Sequence, residues 1–212
     1  MKTCYQHGYT KKQRGMGATI ILFTIALIIL VGAALAYANR GGNSAVNVQG
    51  ARVYSAVLLK QSADYRDAYS RLIFDGLVSP SSMTFNTPTT PATDLFSPAT
   101  QYAVYQAPPP QALITGAPLQ WSYNANVLVS GVGTAGGPES IVYVQQLSQA
   151  TCAQINNQMY GTTVIPTATI ASSSLTAVGA AIDTSATVTG RSTGCMITTD
   201  GVYVFYSTLA ES

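Results

Sequence analysis

Apolar residues follow three regimes along the chain. From Gly17 to Ala38 they run almost unbroken, and no Asp, Glu, Lys, Arg or His occurs from Gly15 to Asn39. A helix over that stretch spans about 33 Å at about 1.5 Å per residue, enough for a hydrocarbon core of about 30 Å. A secretory signal has a shorter apolar core. An uncharged run of this length is also rare in a buried helix of a soluble protein. The pattern predicts a membrane-spanning helix over 16–39.

The second regime is periodic. Val46, Gly50, Val53, Val57, Asp64, Ala68 and Leu72 fall near one stripe, with Tyr54, Leu58, Tyr65, Tyr69 and Ile73 beside it. Arg52, Lys60, Arg66 and Arg71 alternate with Asp64, Asp67 and Asp75 elsewhere. This predicts an amphipathic helix over about 44–75, stopped at Gly76. Lys60, on the flank of the stripe, is expected in an ion pair. The Asn39–Asn43 stretch, with Gly41 and Gly42, loosens the join between the two helical segments.

The third regime begins after a proline-rich interval. Eight of the ten prolines lie in 76–118, where Asp94 is the only charge, so this segment is expected to be mainly loop, with a short strand at Tyr102–Gln106. It is read either as a functional loop or packing surface, or as a solvated loop with no role. Beyond Pro118 the chain is rich in β-branched and aromatic residues. Strands are expected at Leu119–Tyr123, Val127–Val132 and Ile141–Leu147, with weaker signals at Thr162–Ile170 and Leu175–Ile182. Ser148 is placed to cap a short helix over Gln149–Met159. Asp200-Gly201 is expected to close a hairpin of Cys195–Thr199 and Val202–Ser207 through a two-residue type I′ turn.

Charge orients these elements. Lys11, Lys12 and Arg14 precede the apolar run, with Lys2 further back; after it comes Arg40 and then nothing cationic until Arg52. The positive-inside bias places the N-terminus in the cytoplasm and the chain after about residue 40 outside. The formal charge of +2 therefore conceals a difference: from Met16 onward there are six Lys or Arg and eight Asp or Glu. With charged residues at 8%, the surface is expected to be rich in Ser, Thr, Asn, Gln and Tyr. No basic patch interleaved with aromatics marks a nucleic-acid partner.

Candidate chemistry is sparse. His7, the only histidine, precedes the span, so His-based triads and His–metal sites are excluded from the exported part. No G-x-S-x-G elbow or P-loop occurs. Gly131–Gly137 is glycine-rich without an anion-binding fingerprint, and reads as a turn. Trp121 reads as core. The tyrosines suit either subunit packing or ordinary sheet and rim positions. No cofactor and no metal site is expected, and the chain is not expected to be an enzyme. Cys4 falls on the cytoplasmic side, whereas Cys152 and Cys195 are exported, where disulfides persist. Two cysteines without histidine make no zinc site. A Cys152–Cys195 bond is expected, tying the short helix to the C-terminal hairpin and worth up to about 4 kcal/mol.

A short basic segment, a glycine, a long apolar helix, an amphipathic continuation, a loop and a sheet with a C-terminal disulfide together resemble the type IV pilin superfamily, which includes the type II secretion pseudopilins. The match is architectural over the whole chain and sequence-level only in 11–38. The resemblance implies an α+β fold, with a long N-terminal hydrophobic helix packed on an antiparallel sheet. It implies cleavage by a prepilin peptidase between Gly15 and Met16 (after Gly17 as the second choice) and methylation of the new N-terminus at Met16. Cys152 and Cys195 look like the family's C-terminal pair. The implied division is a leader over 1–15, a membrane or filament-core helix over 16–39, its amphipathic continuation over 40–75, a proline-rich loop over 76–118 and a β-rich region over 119–212. Residues 40–212 would form one exported domain. The partners implied are the membrane, like or related subunits, and the peptidase. One departure stands out. Pilins carry Glu at the fifth mature position, where this chain has Ile20, or Leu22 counted from Ala18. A terminal ammonium buried without its partner costs several kcal/mol. A tip or minor subunit, or a divergent filament, is the expected consequence. A single-pass anchored adhesion module is the alternative. Signal-peptidase cleavage near Ala36 or Ala38 would instead release a free domain.

Overall fold

A computed structural model describes residues 48–76, 78–86, 91–134, 137–182 and 189–211. They belong to one compact unit, Asn47–Ser212. The expected leader, the cleavage and methylation positions Gly15 and Met16, the apolar span over 16–39, Ile20 and the glycine pair all lie outside the described residues. Among the described residues no helix is long and apolar enough to cross a membrane.

The unit is α+β. Helix α1 runs over 48–74, and α2 is Gln149–Tyr160. Five strands, β1 (Ser122–Val129), β2 (Glu139–Gln145), β3 (Ala180–Ile182), β4 (Thr193–Ile197) and β5 (Tyr203–Ala210), form one sheet in the order β3-β1-β2-β5-β4. All pairings are antiparallel except β1 with β3.

The sheet is buried on both faces, which is why β2 has six consecutive buried residues rather than alternating ones. One core joins Val142, Val144, Phe205 and Leu209 to Leu58, Tyr65 and Leu72 of α1 and to Cys152 and Ile155 of α2. The other joins Ile141, Tyr143, Met196, Val204 and Tyr206 to Ala168, Ile170 and Leu175.

The buried face of α1 is rotated from the stripe the sequence predicts. Its line is Leu58, Gln61, Tyr65, Ala68, Tyr69 and Leu72, while Asp64 is exposed and Val53 is 60% exposed. The larger side chains beside the stripe bury more apolar area than valine and glycine do. Ser55 and Ser62 accompany them because their hydroxyls bond back to the Arg52 and Leu59 carbonyls. The expected Lys60 ion pair is present, to Asp64 at 2.6 Å.

The proline-rich segment is a packing layer. Val78, Met83, Leu95, Phe96, Ala112 and Leu113 are buried. Tyr65 meets Phe85, Phe96 and Trp121 edge-on at 5.2–5.9 Å. Its hydroxyl donates to the Gln106 carbonyl and accepts from the Gln106 N–H. The expected strand at Tyr102–Gln106 is absent; the stretch is irregular, and the backbone of Gln106 is held by the Tyr65 hydroxyl instead of a ladder. Trp121 is core, as expected, and donates to Gln61 Oε1 at 3.3 Å.

Two strand expectations change. Leu119–Tyr123 and Val127–Val132 are replaced by one strand, β1, with a bulge between Asn124 and Val127. Asn124-Ala125-Asn126 reads as a turn, but Asn124 Oδ1 accepts from the Asn126 N–H, while its Nδ2 donates to the Leu175 and Ala177 carbonyls. The side chain thus holds the extra residues inside the strand. Residues 162–170 contain no strand beyond an isolated bridge at Thr167, and Leu175–Ile182 shrinks to β3 after a 3-10 turn at Ser172–Thr176. The hairpin turn differs as well. Thr198 N–H donates to the Val202 carbonyl and Gly201 N–H to the Thr198 carbonyl, giving a three-residue loop with Gly201 alone left-handed, at φ +79°. Type I′ needs both central residues left-handed. Here Asp200 is committed to bonds with Thr198 and Ser172.

Candidate functional site

The site residues expected from the sequence divide cleanly. Gly15 and Met16 lie outside the described residues. Cys152 and Cys195 are joined, with Cα atoms 5.3 Å apart and a sequence separation of 43. Both are buried.

Local sequence explains how α2 presents Cys152. Ser148 adopts an extended conformation and its Oγ accepts from the Thr151 N–H at 3.3 Å, satisfying one orphan donor of the first turn. Gly161, at φ +69°, ends the helix in the left-handed conformation. One turn past Cys152, Asn156 reaches β4. Its Oδ1 accepts from the Cys195 N–H at 2.9 Å, and its Nδ2 donates to the Cys195 carbonyl at 2.8 Å. The side-chain amide therefore occupies the place of a neighbouring strand's peptide. Tyr160 donates to the Thr193 carbonyl, and the Arg191 guanidinium lies 3.8 Å from the centre of its ring.

A second anchor ties α1 to the same hairpin. Arg66 Nε donates to the Thr208 carbonyl at 2.8 Å, and Nη2 donates to Thr193 Oγ1 and Ser207 Oγ, both at 3.0 Å. The charge pattern of α1 places Arg66 among ordinary surface cations, and nothing local distinguishes it. Asn156 likewise lies in an unremarkable polar run.

Two open grooves lie on the unit. One, of about 470 Å³, is lined by Leu128, Ser130, Gly131, Val132, Thr134 and Ala181. The turn at Gly131 is constrained, because a Cβ there would meet Thr189 Cγ2 at 2.5 Å and Gly190 N at 2.7 Å. The other, of about 440 Å³, is formed by Ser70, Arg71, Phe74, Asp75 and Tyr102 at the end of α1. Phe74 is 91% exposed there. The Tyr102 hydroxyl donates to Asp75, and that bond raises its pKa.

The titratable groups with shifted pKa values are held by hydrogen bonds or by burial in the core. Ser172 donates to Asp200 from Oγ at 2.6 Å and from its N–H at 3.0 Å. With the Thr198 hydroxyl these bonds hold the Asp200 carboxyl down at about 2, too low for a useful base at neutral pH. Burial pushes the Tyr65 phenol up to about 12 and raises Tyr69, Tyr123, Tyr143 and Tyr206. Four of these tyrosines, Tyr65, Tyr69, Tyr143 and Tyr206, are fully buried, so they belong to the core rather than to a tyrosine-rich contact surface. Among the described residues no group of three His, Cys, Asp or Glu converges on a point that could hold a metal. Comparison with known protein families, curated proteins and solved structures finds no match to the chain.

Proposed function

We propose that the chain is a structural subunit of a type IV pilus-like or type II secretion pseudopilus-like filament. In this reading a prepilin peptidase cuts between Gly15 and Met16, and Met16 is methylated. The subunit waits in the inner membrane with its N-terminus in the cytoplasm, then enters an extracellular filament. The apolar helix exchanges lipid for the helices of neighbouring subunits, so its surface stays dry throughout. The observation that carries the proposal is the stretch Lys11-Lys12-Gln13-Arg14-Gly15-Met16, followed by uncharged sequence to Asn39. It is supported by an α1 whose inner face, from Leu58 to Leu72, is part of the core of the exported unit. A head built on its own N-terminal helix suits a subunit that is held and moved by that helix.

Ile20, at the position where pilins carry Glu, favours a minor or tip subunit. It equally supports the second reading, a single-pass anchored adhesion module that does not polymerise. Intact-mass and N-terminal sequence analysis of protein recovered from its native membrane and surface fractions separates these. The filament reading expects a chain beginning at Met16 and carrying one methyl group. A chain retaining Met1 or Lys2 supports the anchored module. A chain beginning near Ala36 or Ala38 supports a released domain and overturns the filament reading.

A further inference from the structure

We infer that Asp75–Gly76, at the end of α1, is a site of spontaneous backbone modification to isoaspartate, and that the fold guards the chain's second Asp-Gly pair, Asp200–Gly201, against the same reaction. Both pairs lie in the described head, and neither depends on the filament reading.

Asp-Gly occurs twice in the chain. The reaction needs no enzyme and no co-reactant besides water. The glycine nitrogen attacks the side-chain carboxyl carbon, and a C–N bond forms. The carboxyl C–O bond breaks, and its hydroxyl leaves with the amide proton as water. The product is a five-membered succinimide. Water then opens the ring at either carbonyl. Opening at the side-chain carbonyl restores aspartate. Opening at the main-chain carbonyl leaves the chain running through the side-chain carbon, with a carboxylate directly on Cα. Glycine favours the first step because it has no side chain to hinder the approach and its backbone turns freely.

The two pairs share a backbone geometry. Each glycine is exposed and left-handed, φ +68° at Gly76 and +79° at Gly201, with open space where a Cβ would stand. Each glycine N–H donates to the carbonyl three residues back, Ile73 at 3.0 Å and Thr198 at 2.9 Å. What differs is the hold on the carboxyl. Asp200 is clasped on both oxygens. Ser172 N–H and Thr198 Oγ1 donate to Oδ1 at 3.0 and 2.5 Å, and Ser172 Oγ donates to Oδ2 at 2.6 Å. Ser172 is itself fixed, because its carbonyl accepts from Gln145 Nε2 of β2 at 2.8 Å. Bonds of this kind favour the ionised carboxyl, which has no hydroxyl to lose, and Asp200 stands at about 2. They also keep the carboxyl carbon from swinging onto the Gly201 nitrogen.

Asp75 has no such clasp. Among the described residues its one side-chain partner is the Tyr102 hydroxyl, on Oδ2. It follows the last turn of α1, where helices fray and backbone groups open most often. Isomerisation there adds a carbon to the main chain at the end of α1 and shortens the carboxylate. The bond from Tyr102, which links that end to the proline-rich layer, is lost.

The test incubates the oxidised full-length chain in detergent at neutral pH, natively and in urea, beside the Ser172→Ala variant. Peptides carrying each pair are fragmented by electron transfer, which distinguishes isoaspartate from aspartate. In the tryptic peptide 192–212 Asp200 is the only Asp and no Asn occurs, so its signal is unambiguous. The native chain is expected to gain isoaspartate at 75 about tenfold or more faster than at 200. In urea the two rates are expected to converge. Ser172→Ala is expected to speed the reaction at 200 about fivefold or more and to leave the rate at 75 unchanged. Equal native rates, or a faster reaction at 200, overturn the proposal. The same ratio in urea also overturns it, because sequence rather than fold would then set the difference. Ser172→Ala with native circular dichroism and an unchanged rate at 200 overturns the guarding role. Should that variant lose its dichroism, the native and urea ratios of the unaltered chain decide by themselves.

Discussion

Arg66 illustrates how one side chain can settle a packing angle. Its planar fork reaches three acceptors on β4 and β5, a pattern that fixes α1 both along and around its axis. Arg66→Ala leaves those acceptors without their charged donor and is expected to destabilise the unit by about 2 kcal/mol, read as a lower urea midpoint. Arg66→Lys is expected to recover less than half of that, because an ammonium cannot fork across the seam. Asp200 sets an acid limit. Its carboxyl is lowered to about 2 by the bonds from Ser172 and Thr198, against about 3.9 in an unfolded chain. A lowered carboxyl stabilises the fold above the unfolded value, and that contribution disappears as pH falls through the folded value. Thermal melts from about pH 5 to about pH 2 should therefore show a decline below about pH 4, and Asp200→Asn should flatten it.

Among the elements, α2 and the β4–β5 hairpin depend on single local choices. Ser148→Ala removes the N-cap of α2 and is expected to cost about 1 kcal/mol, measurable as a lower thermal midpoint in the oxidised protein. Gly201 is left-handed with open space around the position of a Cβ, so Gly201→Ala is strained by its backbone rather than by a clash. The expected loss is about 1 kcal/mol, read in the same melts. Gly131→Ala should be worse than Gly201→Ala in that assay, because its Cβ also meets the Gly190 backbone.

For the molecule as a whole, aromatic burial sets an alkaline limit. Tyr65 is raised to about 12 by burial, and Tyr69, Tyr123, Tyr143 and Tyr206 shift in the same direction. A raised phenol stabilises the fold fully below the unfolded value of about 10, and the contribution is lost as pH rises through the folded value. Phenolate absorbance should therefore appear in two parts: an early one from exposed tyrosines, and a later one, above about pH 10, that coincides with loss of circular dichroism. A single phenolate transition completed while the dichroism is intact would contradict this. The two-sided sheet explains the breadth of the effect, since Tyr65 and Tyr69 lie in one core and Tyr143 and Tyr206 in the other.

The elements legible in the sequence are those specified by neighbours a few residues apart. The helix reaching Gly76, the Ser148 cap, β2 and the hairpin all follow from periodicity, capping and turn chemistry, which act over one or two turns of chain. The cysteine pairing was legible too, because the expected separation of Cys4 from Cys152 and Cys195 and the lack of other ligands left one internal choice. Tertiary structure decided which face of α1 is buried, since the stripe and its flank are equally periodic and only the mass of Leu58, Tyr65 and Tyr69 facing the core separates them. It turned the Asn124–Asn126 signal from a break into a bulge by bringing Leu175 and Ala177 to the Asn124 amide. It also recruited Arg66 and Asn156, whose strand partners lie 39 or more residues away in β4 and β5. A polar side chain with several donors can serve solvent, an ion pair or a strand edge equally well. Its choice is made only when the fold places acceptors at hydrogen-bond distance and removes the water that competes for them.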